Sequence, residues 1–394
     1  MGLSVMQVLS DLTNFMRIAF RTDASSQIGT GHVMRCLTLA DALREQGAEC
    51  HFVCREHEGH LMDHISSRGY ELHALPRPDA NGSFESDLAH ASWLGVGWKS
   101  DADQTRQALS SETFDWLIVD HYALDHCWES VLRSSCKRIM VIDDLADRRH
   151  NCDLLLDQNY YSNLNQRYQD LLPDHCISLL GPSFLLLRQE FYLAKHDLGV
   201  RDGIINNVLV FFGGNDPTNQ TEKVLKAFEK LQLPNVSIDV VVGHTNFNRE
   251  LINAKCDQLP NTRYFYNAAN MAELVANADL GIGAGGSAMW ERCYLGLPTI
   301  TVVSAQNQLR TTKDVASLGA IEYLGLADLL GTGDYMQAIV NLIYDQQRVI
   351  RITNAALDMF KKESGVSVVD VMLNFDSYSY QKTCFSNQQS NLPA

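Results

Sequence analysis

The sequence predicts an α/β protein of two doubly wound domains, each a parallel sheet with helices around it. Three observations favour this fold class. The chain has 394 residues, which is enough for two domains of about 100–200 residues with separate cores. Short apolar runs alternate with helical stretches in two successive series. Most of these runs lack polar alternation, as strands buried on both faces do.

The first series predicts a domain over residues 16–180. Its strand candidates are RIAF, HFVC, DWLIVD, RIMVID and DLLLD. Between the first two lies a helix that ends at Gly47 and whose apolar face comprises Val33, Leu37, Ala40 and Leu43. A strand, a helix and a second strand in this order predict parallel pairing.

The second series predicts a domain over residues 205–375, after a connector over 181–204. Its strand candidates NVLVFFGG, VSIDVVVG, ADLGIG and PTITVV alternate with helical stretches such as EKVLKAFEKL and SAMWERCYLG. Residues 1–15 and 376–394 are predicted extensions. Two such domains are expected to face a central cleft, with ligands at the carboxyl ends of the strands.

Composition and charge disfavour some classes of ligand and indicate the cellular compartment. A formal net charge of -15 disfavours nucleic-acid binding, and no apolar run approaches the roughly 18 residues of a membrane helix. The amino terminus lacks the pattern of a signal peptide, and ten scattered cysteines without a CxxC pair indicate reduced thiols. We expect a cytoplasmic protein, a monomer or a weak homo-oligomer, that binds a small ligand.

The segment Gly29-Thr30-Gly31-His32 follows the first strand and opens the first helix. Its glycines, Gly31 among them, let the backbone approach a ligand, and the amides at a helix start favour negative charge. Met34 replaces the third glycine of the dinucleotide fingerprint, so NAD binding is weakly supported. A neutral His32 at this helix start is expected to accept a proton from water. The alternative is that His32 only caps the helix or fills space.

Other polar residues follow strands of the first domain. Asp23 is expected to orient His32, to bind a sugar hydroxyl or to make a turn, and Arg35 faces either the cleft or solvent. Three acidic clusters are expected to line a sugar pocket or to cap helices: Asp120-His121-Tyr122, Asp143-Asp144 and Asp157-Gln158-Asn159. No histidine lies at a recognisable spacing from the second cluster, so no metal site is predicted there.

Two glycine-rich loops follow strands of the second domain. In Gly213-Gly214-Asn215-Asp216, Gly214 and Asn215 are candidates for binding a phosphate or sugar oxygen. The second loop runs from Gly283 through Gly285 and Gly286 to Ser287, which is predicted to cap the next helix, with amides open to a diphosphate.

Glu291 lies one helical turn beyond Ser287, where a carboxylate can accept both hydroxyls of a ribose. The alternative role is a favourable interaction with the helix dipole, of about 0.3–1 kcal/mol.

The motifs FRTDASSQIGTGHVMRCLTLADAL, VIDDLADR, LLGPSFLLLRQEF, VFFGGNDPTNQT and GAGGSAMWERCYLGLP together resemble a known family. They are similar to the hydrolases of UDP-2,4-diacetamido-2,4,6-trideoxy-β-L-altropyranose in pseudaminic acid biosynthesis, over about Met16 to Phe375. A looser likeness extends to the MurG-type glycosyltransferases of the GT-B fold.

The resemblance implies an inverting hydrolase whose catalytic base is His32. Because UDP is already a good leaving group, we expect no cofactor and no metal in this hydrolase. The resemblance implies that Gly285 to Ser287 and Glu291 hold uridine and diphosphate, that Asn307 lies near the sugar and phosphate, and that Arg188 lies at the domain junction. It also implies a role in nonulosonic acid supply for flagellin or cell-surface glycosylation. The alternatives are a MurG-like glycosyltransferase, a hydrolase of another UDP-amino sugar, a nucleotide-sugar sensor and an NAD-linked dehydrogenase.

Overall fold

The structure is a computed structural model that describes residues 15–78, 87–361 and 366–379. The chain divides into two compact units. The first unit comprises the described parts of Met1–Asp157, Asn165–Leu179 and Val366–Ala394, and the second comprises those of Gln158–Leu164 and Leu180–Gly365. Most of both predicted extensions, residues 1–14 and 380–394, lies outside the described residues.

Each unit is built on one sheet. Among the described residues, the first sheet has seven strands in the order β3-β2-β1-β4-β5-β6-β7 and the second has six in the order β10-β9-β8-β11-β12-β13. The first set is β1 Arg17–Thr22, β2 Glu49–Arg55, β3 Glu71–Leu75, β4 Phe114–Asp120, β5 Cys136–Ile142, β6 Leu154–Asp157 and β7 Ile177–Leu180. The second set is β8 Asn207–Phe211, β9 Ser237–Val242, β10 Thr262–Tyr266, β11 Leu280–Ala284, β12 Thr299–Val303 and β13 Glu322–Leu326.

Helices follow most of these strands. Those of the first part of the chain are α1 Gly31–Glu45, α2 Met62–Ser67, α3 Trp98–Ala108, α4 His126–Leu132 and α5 Gln189–His196. They continue with α6 Gln220–Leu231, α7 Arg249–Gln258, α8 Met271–Asn277, α9 Ser287–Tyr294 and α10 Gln308–Ser317. The last are α11 Thr332–Ile343, α12 Gln346–Asp358 and α13 Val368–Leu373. No helix within the described ranges has the length and apolarity that a bilayer crossing requires.

The strand order reverses direction once in each sheet. In the first sheet β1 pairs in parallel with both β2 and β4, and in the second β8 pairs in parallel with both β9 and β11. Such a reversal leaves the loops after the two central strands diverging to opposite faces, which opens a crevice at their carboxyl ends. The fold therefore provides one candidate ligand position in each unit, after β1 and β4 and after β8 and β11.

The apolar runs are the buried central strands. Along β8, Val208 and Val210 belong to one core cluster and Leu209 to another, so successive side chains pack on opposite faces of the sheet. Burying one such aliphatic side chain contributes about 1.5–3 kcal/mol, and helices cover both faces. This two-sided burial explains why the runs lack polar alternation, and the predicted α/β fold class is confirmed.

Four strands were not predicted, and all four lie at the edges of the sheets. In β3, β7, β10 and β13 most residues are exposed or half-buried, so that their sequences carry polar residues that hide the strand signal. An edge strand is covered less completely than a central one, so a continuous apolar run is not required.

The unit boundaries differ from the predicted domains in three places. Gln158–Leu164, within the predicted first domain, belongs to the second unit. Helix α5, in the predicted connector 181–204, belongs to the second unit, and α13 belongs to the first unit although 205–375 was predicted as one domain. Directly after α13, the ring of Phe375 packs edge-on against Trp116 of β4 at 5.1 Å. The carboxyl-terminal helix thus completes the first core, because burial of an aromatic pair outweighs sequence proximity.

Candidate active site

His32 is the second residue of α1, directly after the turn that follows β1. The N-cap residue, Thr30, makes no side-chain cap, so the start of the helix is not closed by a side chain. The imidazole Nδ1 lies 2.6 Å from Oδ1 of Asp120, the last residue of β4. Since β1 and β4 are neighbours at the strand reversal, the fold brings together two residues that are far apart in sequence.

Asp120 is fully buried and is also bound by Arg35. Arg35 Nε donates to Asp120 Oδ2 at 2.5 Å and Arg35 Nη2 donates to Oδ1 at 2.6 Å. Burial opposes ionisation of Asp120, but the charges of Arg35 and His32 outweigh it and lower the pKa of the carboxyl below its ordinary value. Asp120 is therefore a carboxylate that only accepts hydrogen bonds.

The ionised Asp120 determines which nitrogen of His32 carries hydrogen. A carboxylate at 2.6 Å requires a donor, so Nδ1 carries hydrogen, and in the neutral imidazole Nε2 is then the acceptor. This is the arrangement by which a carboxylate orients a histidine base in hydrolases. Arg35 was expected to face either the cleft or solvent, and its side chain is buried against Asp120, so it does not lie on the solvated side.

Aromatic side chains flank the imidazole. The ring of Tyr122 stands edge-on to His32 at 4.6 Å between centroids, and Trp93 stands edge-on at 6.4 Å. The Tyr122 hydroxyl donates to Asp144, which Arg35 Nη1 also approaches at 3.4 Å. Trp93 lies in a short 3-10 turn, Ala91–Leu94, and was not predicted, because four residues of a 3-10 turn carry no periodic signal.

Asp23 lies in a buried ionic network. Its Oδ1 is 2.7 Å from Arg21 Nη1 and accepts the Arg55 backbone N–H at 2.7 Å, while His121 Nε2 is 3.3 Å from Oδ2. Burial opposes ionisation of Asp23, but these partners, Arg21 foremost, lower its pKa well below the ordinary value. Asp23 is fully buried, which supports a role in bracing the loop after β1 and not the predicted contact with a sugar.

Most side chains of the other two acidic clusters are also held by ion pairs or hydrogen bonds within the protein. Asp143 pairs with Arg148 at 2.9 Å, and Asp157 accepts from Arg167 at 3.1 Å. Tyr168 donates to both carboxylates, at 3.0 and 3.1 Å. In the second unit, Gln158 accepts the Leu186 N–H at 3.0 Å and Asn159 accepts from Trp290 at 2.7 Å. Asp120, Tyr122 and Asp144 are the members of the three clusters that contact His32 or its partner Arg35.

The loop after β11 differs from its predicted form at the cap. Gly286, not Ser287, is the N-cap of α9, with φ 82° and ψ -157°, and Ser287 is the first helical residue. Only glycine adopts this conformation readily, so the turn falls one residue earlier than a serine cap would place it. Because the N-cap residue of α9 is a glycine, it places no carboxylate or hydroxyl over the amides at the start of the helix.

Close packing explains why a glycine occupies a second position of this loop, Gly285. A Cβ on Gly285 would lie 2.8 Å from Thr312 Oγ1 and 3.3 Å from Gln308 Oε1. The side chain of Gln308 accepts the Ser304 N–H at 3.1 Å, which holds it beside the loop. Neither Gln308 nor Thr312 was predicted, because both come from α10 and the sequence does not indicate which helix covers the glycines.

Glu291 and Arg188 form an ion pair within the second unit. Arg188 Nη2 donates to Glu291 Oε1 at 3.1 Å, and Arg188 Nη1 lies 2.8 Å from Glu190. Burial raises the pKa of Glu291, although Arg188 and Arg292 act in the opposite direction. These two predicted binding residues are thus brought together.

The loop after β8 is closed by its own aspartate. Asp216 Oδ1 accepts the Gln220 N–H at 2.8 Å and Oδ2 accepts the Thr221 N–H at 2.9 Å, so the start of α6 is occupied by a carboxylate. Gly214 lies against Gly243, where a Cβ would stand 2.5 Å from the Gly214 Cα. These contacts favour a structural role for Gly214.

The remaining predicted residues are distributed around these loops. Gly31 is the first residue of α1, and a Cβ there would meet nothing within 4 Å. Asn215 is half-buried in the loop after β8, and Asn307 is exposed at the N-cap of α10. Their contacts with substrate stay predictions.

Groups that can hold a metal lie elsewhere. Over the described ranges, three clusters have suitable geometry, and none includes His32 or Asp120: His51, Glu71 and His73; Glu49, His51 and Glu112; and Asp125, His126 and Cys127.

Comparisons with known proteins agree with this architecture. Residues 208–363 match the glycosyltransferase family 28 C-terminal domain. The crystal structure of MurG from Acinetobacter baumannii matches with a TM-score of 0.57 at 14% identity, covering 91% of this chain and 99% of that one. The chain has the GT-B fold. At this identity the match to MurG shows the fold alone.

Two curated relatives are similar in sequence. The UDP-2,4-diacetamido-2,4,6-trideoxy-beta-L-altropyranose hydrolase of Campylobacter jejuni is 27% identical over 310 residues, or 78% of this chain and 99% of that protein. The uncharacterized protein MJ1062 of Methanocaldococcus jannaschii is 28% identical over 305 residues, or 75% of this chain, and the match spans 57% of that protein. The resemblance to the hydrolases inferred from the motifs is confirmed.

Proposed function

We propose that this protein is an enzyme that hydrolyses UDP-2,4-diacetamido-2,4,6-trideoxy-β-L-altropyranose to UDP and the free sugar. The observation that carries the proposal is the His32–Asp120 pair at 2.6 Å, at the strand reversal of the first sheet. The similarity to the Campylobacter jejuni hydrolase supports the choice of substrate. The product would enter pseudaminic acid biosynthesis.

In the proposed mechanism His32 is the base. Its Nε2 accepts a proton from a water molecule as the water oxygen attacks the anomeric carbon, and the sugar–phosphate C–O bond breaks on the opposite face. Asp120 accepts the Nδ1–H bond and stabilises the imidazolium that forms, and Arg35 keeps Asp120 ionised. A positioned base contributes about 10²–10⁴ in rate. The product sugar would have the inverted anomeric configuration.

The second unit is proposed to hold the leaving group. The open amides at the start of α9 suit a diphosphate, and Glu291 suits the ribose hydroxyls, with Arg188 balancing its charge. UDP is a stable anion and needs no proton to depart, unlike the alkoxide leaving group of an ordinary glycoside. One general base, without a general acid, is therefore sufficient for the proposed hydrolysis.

The reaction in ¹⁸O-labelled water tests the bond that is cleaved. Attack at the anomeric carbon puts the label into the free sugar and none into UDP, as measured by mass spectrometry of both products. Label in UDP would mean attack at phosphorus and would reject the role of His32. A proton NMR time course adds the stereochemistry, since the first anomer formed should be the inverted one.

The match to the glycosyltransferase family 28 C-terminal domain favours a second candidate, transfer of the sugar to a hydroxyl acceptor. The two candidates differ in what happens without an acceptor. A hydrolase releases free sugar at its full rate in buffer alone, whereas a transferase releases it slowly and is accelerated by the acceptor. Single-turnover measurement of sugar release decides between them.

A further inference from the structure

Two histidines and a glutamate meet across β2 and β3, at the edge of the first sheet. His51 pairs in register with Glu71, and Glu71 and His73 project from the same face of β3. His51 Nδ1 lies 3.2 Å from His73 Nε2. Glu71 carboxylate oxygens lie 3.8 Å from His51 Nδ1 and 3.7 Å from His73 Nε2.

These separations fit ligands of one small divalent cation. With metal–ligand bonds of about 2.0–2.2 Å, two ligands of a tetrahedral zinc ion lie roughly 3.3–3.5 Å apart. The two nitrogens are 3.2 Å apart, one Glu71 oxygen lies 3.7 Å from His73 Nε2 and the other lies 3.8 Å from His51 Nδ1. One ligand atom from each of the three residues lies within 4.8 Å of the others, so the three groups converge on a volume that one ion can occupy. Two imidazoles and one carboxylate are a common zinc ligand set, which leaves one position for water.

The other side of the His51 ring is arranged as the outer partner of a metal-bound histidine. His51 is 1% exposed, and its Nε2 lies 3.4 Å from Glu49 and 3.8 Å from Glu112. A carboxylate at the distal nitrogen keeps hydrogen there and leaves Nδ1 unprotonated toward the metal. The ring of Phe114 stands edge-on at 5.2 Å and restricts rotation of the imidazole.

The charges around the cluster also favour a cation. Glu49, Glu71 and Glu112 surround the two histidines, and Arg17 is the positive group that faces them, 2.9 Å from Glu49 and 3.6 Å from Glu112. Arg17 offsets part of the negative charge of Glu49 and Glu112, which lie on the Nε2 side of His51. Glu71, on the Nδ1 side, is not among the ion-pair partners of Arg17 in the described part of the chain. A divalent ion at the imidazoles would offset the remainder.

We propose that His51, His73 and Glu71 form a binding site for a zinc-class divalent cation that fastens edge strand β3 to β2. The site lies in the amino-terminal half of both strands, whereas His32 follows the carboxyl end of β1. The bound ion would hold the edge strand in place and stabilise the first unit without taking part in the reaction.

Zinc titration of the tag-free, chelator-treated, reduced chain tests the proposal. We expect one equivalent of Zn²⁺ to compete with a chromophoric chelator and to raise the thermal midpoint. His73→Gln and Glu71→Gln, both at partly exposed positions, should each weaken binding at least about 10–100-fold, the loss ascribed even to outer-shell changes. Glu112→Gln should weaken it less.

Two control variants decide whether the effect is specific. His196→Gln removes an exposed histidine paired with one carboxylate, and His126→Gln disrupts the separate cluster of Asp125, His126 and Cys127. Both should bind Zn²⁺ as the wild type does, and circular dichroism should confirm that every variant folds. Absence of stoichiometric binding in the wild type overturns the proposal, as does unchanged affinity in His73→Gln and Glu71→Gln. Loss of the ion in His126→Gln would assign it to the other cluster and also overturn it.

Discussion

The two sheets share one topology but equip their strand reversals differently. After β1 and β4 the reversal carries buried polar side chains: His32, Asp120 and Arg35 within hydrogen-bonding distance of one another. After β8 and β11 it carries glycines, and α9 begins at Gly286 without a side-chain cap. One unit therefore presents a titratable group and the other presents backbone.

This difference follows from what proton transfer and anion binding each require. Proton transfer needs one nitrogen of fixed tautomer, which takes a charged partner held in a water-poor environment. Anion binding needs donors with no competing acceptor, which glycine provides by leaving the amides uncovered. The loop after β8 is the opposite case, because the carboxylate of Asp216 already accepts hydrogen bonds from the amides that a phosphate would use.

The largest expected effect is that of His32→Asn on turnover. The amide cannot accept the proton from water, so kcat should fall by about 10²–10⁴. The affinity for UDP should not change, because the change lies in the first unit. Steady-state kinetics and calorimetric UDP titration measure the two quantities. Unchanged kcat would reject His32 as the base, and a loss of UDP affinity alone would favour a nucleotide-sugar sensor over an enzyme.

Asp120→Asn should lower kcat by much of the same factor while His32 is still present. The amide can donate to Nδ1, which favours the tautomer with hydrogen on Nε2 and removes the acceptor. Leaving Arg35 without its buried carboxylate should also lower the free energy of unfolding by about 3–5 kcal/mol.

Asp143→Asn is the matched control, since Asp143 is equally buried and pairs with Arg148 at 2.9 Å. It should reduce stability similarly and leave kcat per folded molecule near the wild-type value. Equal loss of kcat in both variants would mean that Asp120 acts only through stability.

Gly286→Ala should weaken UDP binding by about tenfold or more, because an alanine at φ 82° costs about 1–3 kcal/mol and displaces the amides of α9. Asp216→Ala sharpens the contrast between the two glycine loops. It should lower the free energy of unfolding by about 0.5–2 kcal/mol through loss of the hydrogen bonds from the Gln220 and Thr221 amides, with UDP affinity unchanged. A stronger effect of Asp216→Ala on UDP affinity would reverse the assignment of the loops.

Acid should affect the first unit more than the second. The pKa values of Asp120 and Asp143 are lowered in the folded state, so their stabilisation is complete above the unfolded value of about 3.9 and is lost as pH falls below it. The pKa of Glu291 in the second unit is raised, so protonation there favours the folded state as pH falls.

Tryptophan fluorescence can follow the first unit alone in a Trp290→Phe variant, since the other four tryptophans of the chain precede residue 157. Denaturant titrations from pH 7 to 3.5 should show that the contribution of these carboxylates to the free energy of unfolding is constant above about pH 5 and decreases below about pH 4. A loss that begins near neutrality would contradict the assignment to these carboxylates.

Much of the fold was predictable from the sequence, because the central strands are buried on both faces and are therefore continuously apolar. The edge strands β3, β7, β10 and β13 were missed because partial exposure admits polar residues. Within the site, His32 was predicted from its loop, whereas Trp93 lies in a turn without a periodic pattern and Gln308 is placed by packing of a distant helix.

The alternation of strands and helices, the glycine turns and the position of His32 at a helix start follow from local sequence, because each depends on neighbours within a few residues. That the carboxylate of Asp120, 88 residues from His32, orients the imidazole follows from the fold. The fold also explains why the Asp216 carboxylate binds the first amides of α6, why Gly286 leaves those of α9 without a side-chain cap, and why α13 packs on the first unit. These outcomes depend on strand register and side-chain direction across the sheet, which local pattern does not encode.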